Sequence, residues 1–306
     1  MNEPDPKAWL SPVAYDKAAF IREFAREFSE SQRWNAAVVP NAQLLMAMIE
    51  MRPSITDLRW AAYMLATVLW ETASPNRVER PARSRQGKVL KDKHGRTVML
   101  KHVHWTYTMA PVVEVGRGAG KRYHEPVKVK LLDSGAARVT EHDGDQFLVT
   151  STGTIKPLTK GARLGARAGA TPAATYDQDD GDENAYFGRG YVQLTWWSNY
   201  AKAGIAIGRG LDLLQNPDSL KTPQVAFDVM AHGMLPGQGF ANGHSLAQYI
   251  EGARCDYAGA RAIVNGLDHA REIAELAKKM ERVLLNSKPA ASAGDCGQSA
   301  NSARRP

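Results

Sequence analysis

Residues 57–72 carry Ala, Leu, Met and Trp on nearly all sides of a helical wheel. A helix that is apolar all round has no face to give to water, so it must run through the centre of a core that other elements wrap. Ser54 or Thr56 can cap its start by accepting a free backbone N–H. Glu71 stands at its C-terminal end. The most apolar part, 60–70, is too short to span a bilayer, so no stable membrane insertion is expected. At 306 residues the chain is long enough to bury such a core.

Helical periodicity also marks 14–34, where Phe20, Phe24 and Phe28 fall four apart, and 42–51, which ends before Pro53. It returns at 199–207, 223–233, 245–250, 257–264 and 269–285. Between these blocks the texture changes. Residues 74–105 hold nine Lys/Arg and two acids, and 88–90 and 97–100 read as a hairpin around His94-Gly95-Arg96. Residues 127–132 and 146–150 are β-like. Residues 159–175 are Gly/Ala/Thr-rich and read as a flexible connector, and 287–306 read as a disordered tail. The expected fold is mainly α: a helical domain over 1–286, with two inserted, partly β segments at about 74–105 and 124–182.

The net charge of +7 suggests an anionic partner such as nucleic acid, a membrane surface or an acidic wall polymer, although solubility alone is a sufficient reason for it. The basic stretch lacks the interleaved aromatics of a single-strand platform and any zinc-finger spacing, so no specific nucleic-acid partner is expected. Two cysteines, Cys255 and Cys296, exclude a disulfide framework. The first residues show neither a basic n-region nor an apolar h-region, so synthesis in the cytoplasm without a signal peptide is expected. Action outside the cell would then need a separate release route.

Chemistry is concentrated in three places. Tyr186-Phe187-Gly188-Arg189-Gly190-Tyr191-Val192-Gln193-Leu194-Thr195-Trp196 combines glycines, polar side chains and flat aromatics, the mixture of a saccharide-sized cleft floor. In an extended stretch Gln193 and Thr195 share one face. Glu71, at the end of an apolar helix, is either a solvent-facing residue at a frayed end or a desolvated carboxyl suited to general acid work. Glu114 has apolar neighbours and a Gly/Arg-rich loop after it, and reads equally as a surface strand residue or as a base. That loop lacks the Lys-Ser/Thr ending of a phosphate-binding loop. Asp177, Asp179, Asp180, Asp182 and Glu183 do not match a calcium loop and read as a solvated segment. His102 and His104 have no cysteines to complete a zinc set. No Gly-x-Ser-x-Gly occurs.

Together these segments resemble glycoside hydrolase family 19, the lysozyme-like family of chitinases and phage endolysins. The resemblance rests on 186–196 followed by Asn199-Tyr200 and Ala203-Gly204, and on Leu211-Asp212-Leu213-Leu214-Gln215-Asn216-Pro217-Asp218. It also rests on Leu69-Trp70-Glu71-Thr72-Ala73 and Ala262-Ile263-Val264-Asn265-Gly266. Thr106-Tyr107-Thr108-Met109-Ala110-Pro111-Val112-Val113-Glu114, with Gly118-Ala119-Gly120-Lys121-Arg122-Tyr123, resembles the phage-type continuation of the Glu-Thr-Ala segment, here separated from it by 74–105. Core resemblance covers about 42–73, 106–123 and 184–285. Two positions depart from the family pattern: Trp70 replaces a His, and Ser198 a Tyr.

The resemblance implies inversion by two carboxylates, Glu71 as acid and Glu114 as base, with Glu114 preferred to Glu79 because its surroundings match. Thr195 would position the water. Gln193, Asn199 and Asn265 would bind N-acetyl sugars, and Tyr186 would line the cleft. Acid, base and water suffice, so neither a metal nor an organic cofactor is implied. The implied substrate is a β-1,4-linked N-acetylhexosamine polymer. Peptidoglycan cut by a monomeric endolysin is the first expectation. Chitin, or a catalytically inactive wall-binding protein, is the alternative.

Overall fold

A computed structural model describes residues 13–28, 36–164, 182–236, 240 and 243–289. Its helices are α1 (Lys17–Glu27), α2 (Val38–Glu50), α3 (Leu58–Glu71), α4 (Trp197–Ala206), α5 (Asp212–Gln215), α6 (Pro223–Met234) and α7 (Ala270–Asn286). Helix α3 is buried from Leu58 through Leu69. Its cap is Asp57, whose carboxylate accepts the Arg59 N–H at 2.8 Å, rather than Ser54 or Thr56. The same carboxylate holds the Arg59 guanidinium at 2.6 Å, and Gly252 O takes a further N–H, which is how a cation sits at the start of an apolar helix.

Helix α7 lies along α3, and α1 lies along α7. Ile273, Ala274, Ala277, Met280, Val283 and Leu284 recur at helical spacing and form the inward stripe of α7. Phe20, Phe24 and Phe28 stack in series, with centroids 5.7 and 4.8 Å apart. Ser287, expected in the tail, is buried. Its hydroxyl donates to Val283 O and its carbonyl accepts from Asp16 N–H, so it closes α7 against the start of α1. Residues 290–306 lie outside the described residues.

After α3 the chain leaves the core as a hairpin. Strand β1 (Ser74–Pro81) pairs antiparallel with β2 (Met99–Thr106), from Ser74↔Thr106 to Pro81↔Met99. Beyond it two tight turns cover the tip, and the one at 92–96 is the expected His94-Gly95-Arg96 turn, tied by Asp92 to the His94 and Arg96 N–H groups. The base is stapled to the core. Thr72 Oγ1 donates to Val68 O and accepts the Met109 N–H at 3.1 Å, while Asn41 donates to Thr108 O. The hairpin therefore returns the chain beside the point where it left.

The following short strands are β3 (Val112–Val113), β4 (Val127–Leu131), β5 (Ala137–Thr140), β6 (Gln146–Val149), β7 (Ile155–Pro157), β8 (Asp182–Asn184) and β9 (Arg189–Gly190). Five of them form an antiparallel sheet in the order β7-β6-β5-β4-β8. Val127, Val129, Val139, Phe147 and Val149 bury one face, and Phe147 meets Trp197 at 5.4 Å. The end of the acidic run, expected to be a solvated loop, supplies β8: its backbone pairs with β4 whatever its side chains. Residues 165–181, with most of the expected connector and Asp177, Asp179 and Asp180, lie outside the described residues.

Two expected helices are single turns instead. At 245–250 a capping box between Ser245 and Gln248 closes one 3₁₀ turn, and Gly252 at φ +57° starts a reversal. At 257–264 the turn Gly259–Ile263 is also 3₁₀. Among the described residues no helix is long and apolar enough to cross a membrane.

Candidate active site

The end of α3, the segment after β3, the 186–196 loop and the turn after Ile263 meet around an open cleft of about 560 Å³. Trp70, Glu71, Trp105, Glu114, Tyr123, Gln193, Thr195, Trp196 and Asn265 line it. Glu71 and Glu114 therefore share one cavity. Glu79 does not. It projects from the hairpin, half-exposed, beside Lys101 at 3.6 Å. Trp70 stacks on Trp105, centroids 6.4 Å apart, and meets the His269 ring at 4.9 Å, giving one aromatic wall.

Glu71, read either as solvent-facing or as desolvated, is partly buried and ion-paired. Its Oε1 takes Nη1 of Arg261 at 2.5 Å, and that guanidinium is buried and also donates to Asp268 O. The ion pair offsets the loss of water around both groups. Among the described residues Oε2 of Glu71 has no hydrogen-bond donor. Arg261 carried no motif signal of its own. It precedes the quoted 262–266 segment by one residue, and an arginine so close to a segment lining the cleft was the available hint.

Glu114 is held at both oxygens. Oε1 accepts the Tyr123 hydroxyl at 2.9 Å and Oε2 accepts the Gly188 N–H at 3.0 Å. Burial, followed by the hydrogen bond to Glu114 and its charge, pushes the Tyr123 phenol up to about 12, so it remains a donor. The glycines in both motifs have steric reasons. A Cβ on Gly118, at φ +71°, would stand 2.5 Å from the Tyr123 ring. One on Gly188 would stand 2.8 Å from Gln193 Oε1 and 3.2 Å from Glu114.

The 186–196 loop is a tight turn rather than an extended strand. Gln193 has φ +51° and Trp196 φ +73°, and Leu194 pairs back on Arg189. Gln193 and Thr195 still both face the cleft, while Leu194 is buried between them. Gln193 donates its amide N–H groups to Val112 O and Gly190 O, so it ties β3 to the loop as well as lining the site. Arg189 anchors the loop from below. It is buried, bonds Asp218 at 2.8 Å and lies 3.7 Å from the Phe187 ring centroid.

Tyr186 is not in the cleft. It is buried beneath the loop, donates to Leu214 O and packs edge-on to Tyr200 at 5.1 Å, because its ring completes the core that supports the loop. Asn265 lines the cleft, exposed, with Oδ1 accepting the Gly266 N–H. Asn199 faces an adjoining lobe of about 310 Å³, which shares Gln193, Thr195, Val192 and Val264 with the main cleft. Among the described residues no group of three or more His, Cys, Asp or Glu side chains is placed to hold a metal.

A family profile described as chitinase class I, glycoside hydrolase family 19, matches residues 163–248, which include the cleft-floor loop and the helices beneath it. Over these residues the chain is similar to glycoside hydrolase family 19. Its similarity to curated relatives is likewise local. An acidic endochitinase of Solanum chilense is 50% identical over 52 residues, 17% of this chain and 19% of that protein. An endochitinase of Arabidopsis thaliana is 32% identical over 106 residues, 32% of this chain and 35% of that protein. An inactive chitinase-like protein of Hevea brasiliensis is 34% identical over 95 residues, 26% of this chain and 29% of that protein. The chain thus spans well under half the length of these relatives. No solved structure matches it.

Proposed function

We propose that the protein is a glycoside hydrolase that cuts β-1,4 bonds between N-acetylhexosamines with inversion at the anomeric carbon. The observation that carries this reading is the shared cleft, in which Glu71 and Glu114 arrive from separate segments beside aromatic walls and Thr195. Glu71 acts as the acid through Oε2, taking up a proton there while Arg261 holds Oε1. It gives that proton to the glycosidic oxygen as the C1–O bond breaks. Water attacks C1 from the opposite face and passes a proton to Glu114, which Tyr123 and the Gly188 N–H hold in place. Such a mechanism requires the carboxyls to stand about 6.5–9.5 Å apart to admit the water. Thr195 steadies that water, and Asn265, Gln193 and Asn199 contact the sugars. A lysozyme-like arrangement fits the helical centre with strands inserted beside the cleft.

The relatives' names favour chitin as the polymer. A second reading, the glycan strand of peptidoglycan cut by a monomeric endolysin released through a separate pore, is favoured by the basic hairpin at the cleft edge. Hydrolysis of soluble chitin oligomers and of purified sacculi, followed by anomeric NMR of the first product, tests both. Inversion makes the first product the α-anomer. Glu71→Gln is expected to lower turnover about 10²–10⁴-fold. Unchanged turnover in that variant sinks the assignment of the acid. A wild-type protein that binds either polymer without cutting it would instead be an inactive binding protein.

A further inference from the structure

The nine Lys/Arg and two acids of the hairpin β1–β2 and its tip account for the whole net charge of +7. The rest of the chain carries 30 bases and 30 acids and is neutral. Solubility is served by mixed signs spread over a surface. Here one sign is gathered on one projecting element. Arg80, Arg85, Lys88, Lys91 and Lys93 are exposed on it and have no acidic partner among the described residues. The arm's two acids are already engaged, Asp92 by Arg96 and Glu79 by Lys101. Almost no apolar side chain of the tip is buried, Ala82 being the exception, so the tip builds no core of its own.

The position of the arm supplies the second observation. Its base is fixed by Thr72 and Met109, and its first and penultimate residues, Ser74 and Trp105, line the cleft itself. Whatever lies along the arm must therefore lie beside the polymer in the cleft. A glycan strand with acidic branches meets both surfaces with one molecule, whereas a nucleic acid would be a second, unrelated ligand.

We propose that the arm is an electrostatic docking element for carboxylates borne on the branches of the glycan strand that the cleft holds, the chemistry of peptide-substituted wall glycan. This rests on the hydrolase reading and deepens it, because a neutral polymer gives the arm nothing to hold. The arm concentrates enzyme on an anionic strand through charges that water and salt screen over about 10 Å at 0.1 M ionic strength. It takes no part in the bond-breaking step.

The test is co-sedimentation with purified sacculi, made in the Glu71→Gln background so that it does not depend on turnover. Changing Arg80, Arg85, Lys88, Lys91 and Lys93 together to Gln is expected to weaken sedimentation about tenfold or more at low salt, with the difference vanishing near 1 M salt. Arg80→Lys with Arg85→Lys is expected to bind as the parent does, which separates charge from shape. With Glu71 restored, the five-fold variant should turn over soluble neutral chitin oligomers at the parent rate, which also reports an intact fold. Amidating the sacculus carboxylates should abolish the difference between parent and variant. Undiminished binding by the five-fold variant, or parent binding unaffected by amidation, overturns the proposal. Loss of duplex DNA retention with sacculus binding unchanged overturns it in favour of a nucleic-acid surface. Sedimentation that behaves as stated, with no cleavage by the wild type, overturns only the hydrolase reading.

Discussion

Glu71 and Arg261 are 190 residues apart in the chain and 2.5 Å apart in space. The sequence placed Glu71 at the end of a buried helix, which was enough to mark it as unusual. It could not supply the partner, because pairing across that distance depends on how the turn after Tyr257 folds against α3. The pair has a measurable consequence. Removing one member of a buried ion pair typically costs about 3–5 kcal/mol, since the other charge is left without compensation. Arg261→Met is expected to destabilise the protein by about that amount in urea unfolding. The same change in a Glu71→Gln background is expected to cost clearly less, because no bare carboxylate remains. Equal costs in both backgrounds would mean that charge compensation is not what Arg261 provides. Tyr123 is the corresponding residue at the second carboxylate. Its phenol is pushed up to about 12, so it stays protonated while a general base titrates. Tyr123→Phe should lower kcat about tenfold or more by loosening Glu114, yet leave the alkaline limb of the pH profile below about pH 10 where it was. A shifted limb would show that Tyr123 itself is the titrating group.

Among elements, the long periodic ones were legible and the short ones were not. Helix α3 announced itself by its uniform apolar surface, and α1 and α7 by repeated spacing over several turns. Strand β5 has four residues, Ala137 to Thr140, too few for alternation to stand out, and its membership in the sheet is set by its neighbours. The hairpin tip was legible from His94-Gly95-Arg96, while the pairing of β1 with β2 was not, because Pro75 and Pro81 speak against a strand locally and the register is fixed by the staple at the base. The sheet also buries a polar contact that no motif signalled: Glu141 accepts the Trp197 indole N–H at 2.7 Å. Desolvation raises its carboxyl above the usual range, with nearby Asp143 and Asp145 adding to it and the indole hydrogen bond and Arg122 opposing. A raised carboxyl binds its proton more tightly when folded, so wild-type stability declines as pH rises from the unfolded value through the folded one. Glu141→Gln keeps an acceptor for Trp197 and removes the buried charge. It should melt above the wild type at pH 7, with the gap closing as pH falls toward 4. A gap that widens on acidification would reverse the sign and show that the Arg122 contact dominates. Glu141→Ala also removes the acceptor and should cost about 1–3 kcal/mol at acid pH, where the wild-type carboxyl is neutral, and less at pH 7.

At the scale of the whole molecule, insertion and cleft are one arrangement. The chain inserts an arm between Glu71 and Glu114, and the staple at Thr72 and Met109 keeps the two carboxylates on one cavity despite the interruption. Residue types alone suggested that 106–123 resumes the segment left at Ala73, and Met109 does return to Thr72. That the break projects as a cationic arm whose base walls the cleft required the fold. The cleft also continues past the two carboxylates. Beyond Gln193 and Thr195 it opens into the second lobe, where Asn199 faces the space and Val229, Ala203 and Ile207 form apolar walls. Pockets of several hundred cubic ångströms hold ligands much larger than the reacting bond, and binding remote from that bond is what raises the rate on long substrates. On this reading kcat/KM for soluble N-acetylglucosamine oligomers should climb with chain length until both lobes are filled. Asn199→Ala should leave the shortest cleaved oligomer almost untouched and slow the longest about tenfold. Among the described residues the Asn199 amide donates to the Thr195 carbonyl alone, so the change removes one backbone tie and whatever Asn199 contacts in the second lobe. A uniform loss at every length would instead place Asn199 beside the reacting sugar, and a rate independent of length would confine the substrate to the lobe between Glu71 and Glu114.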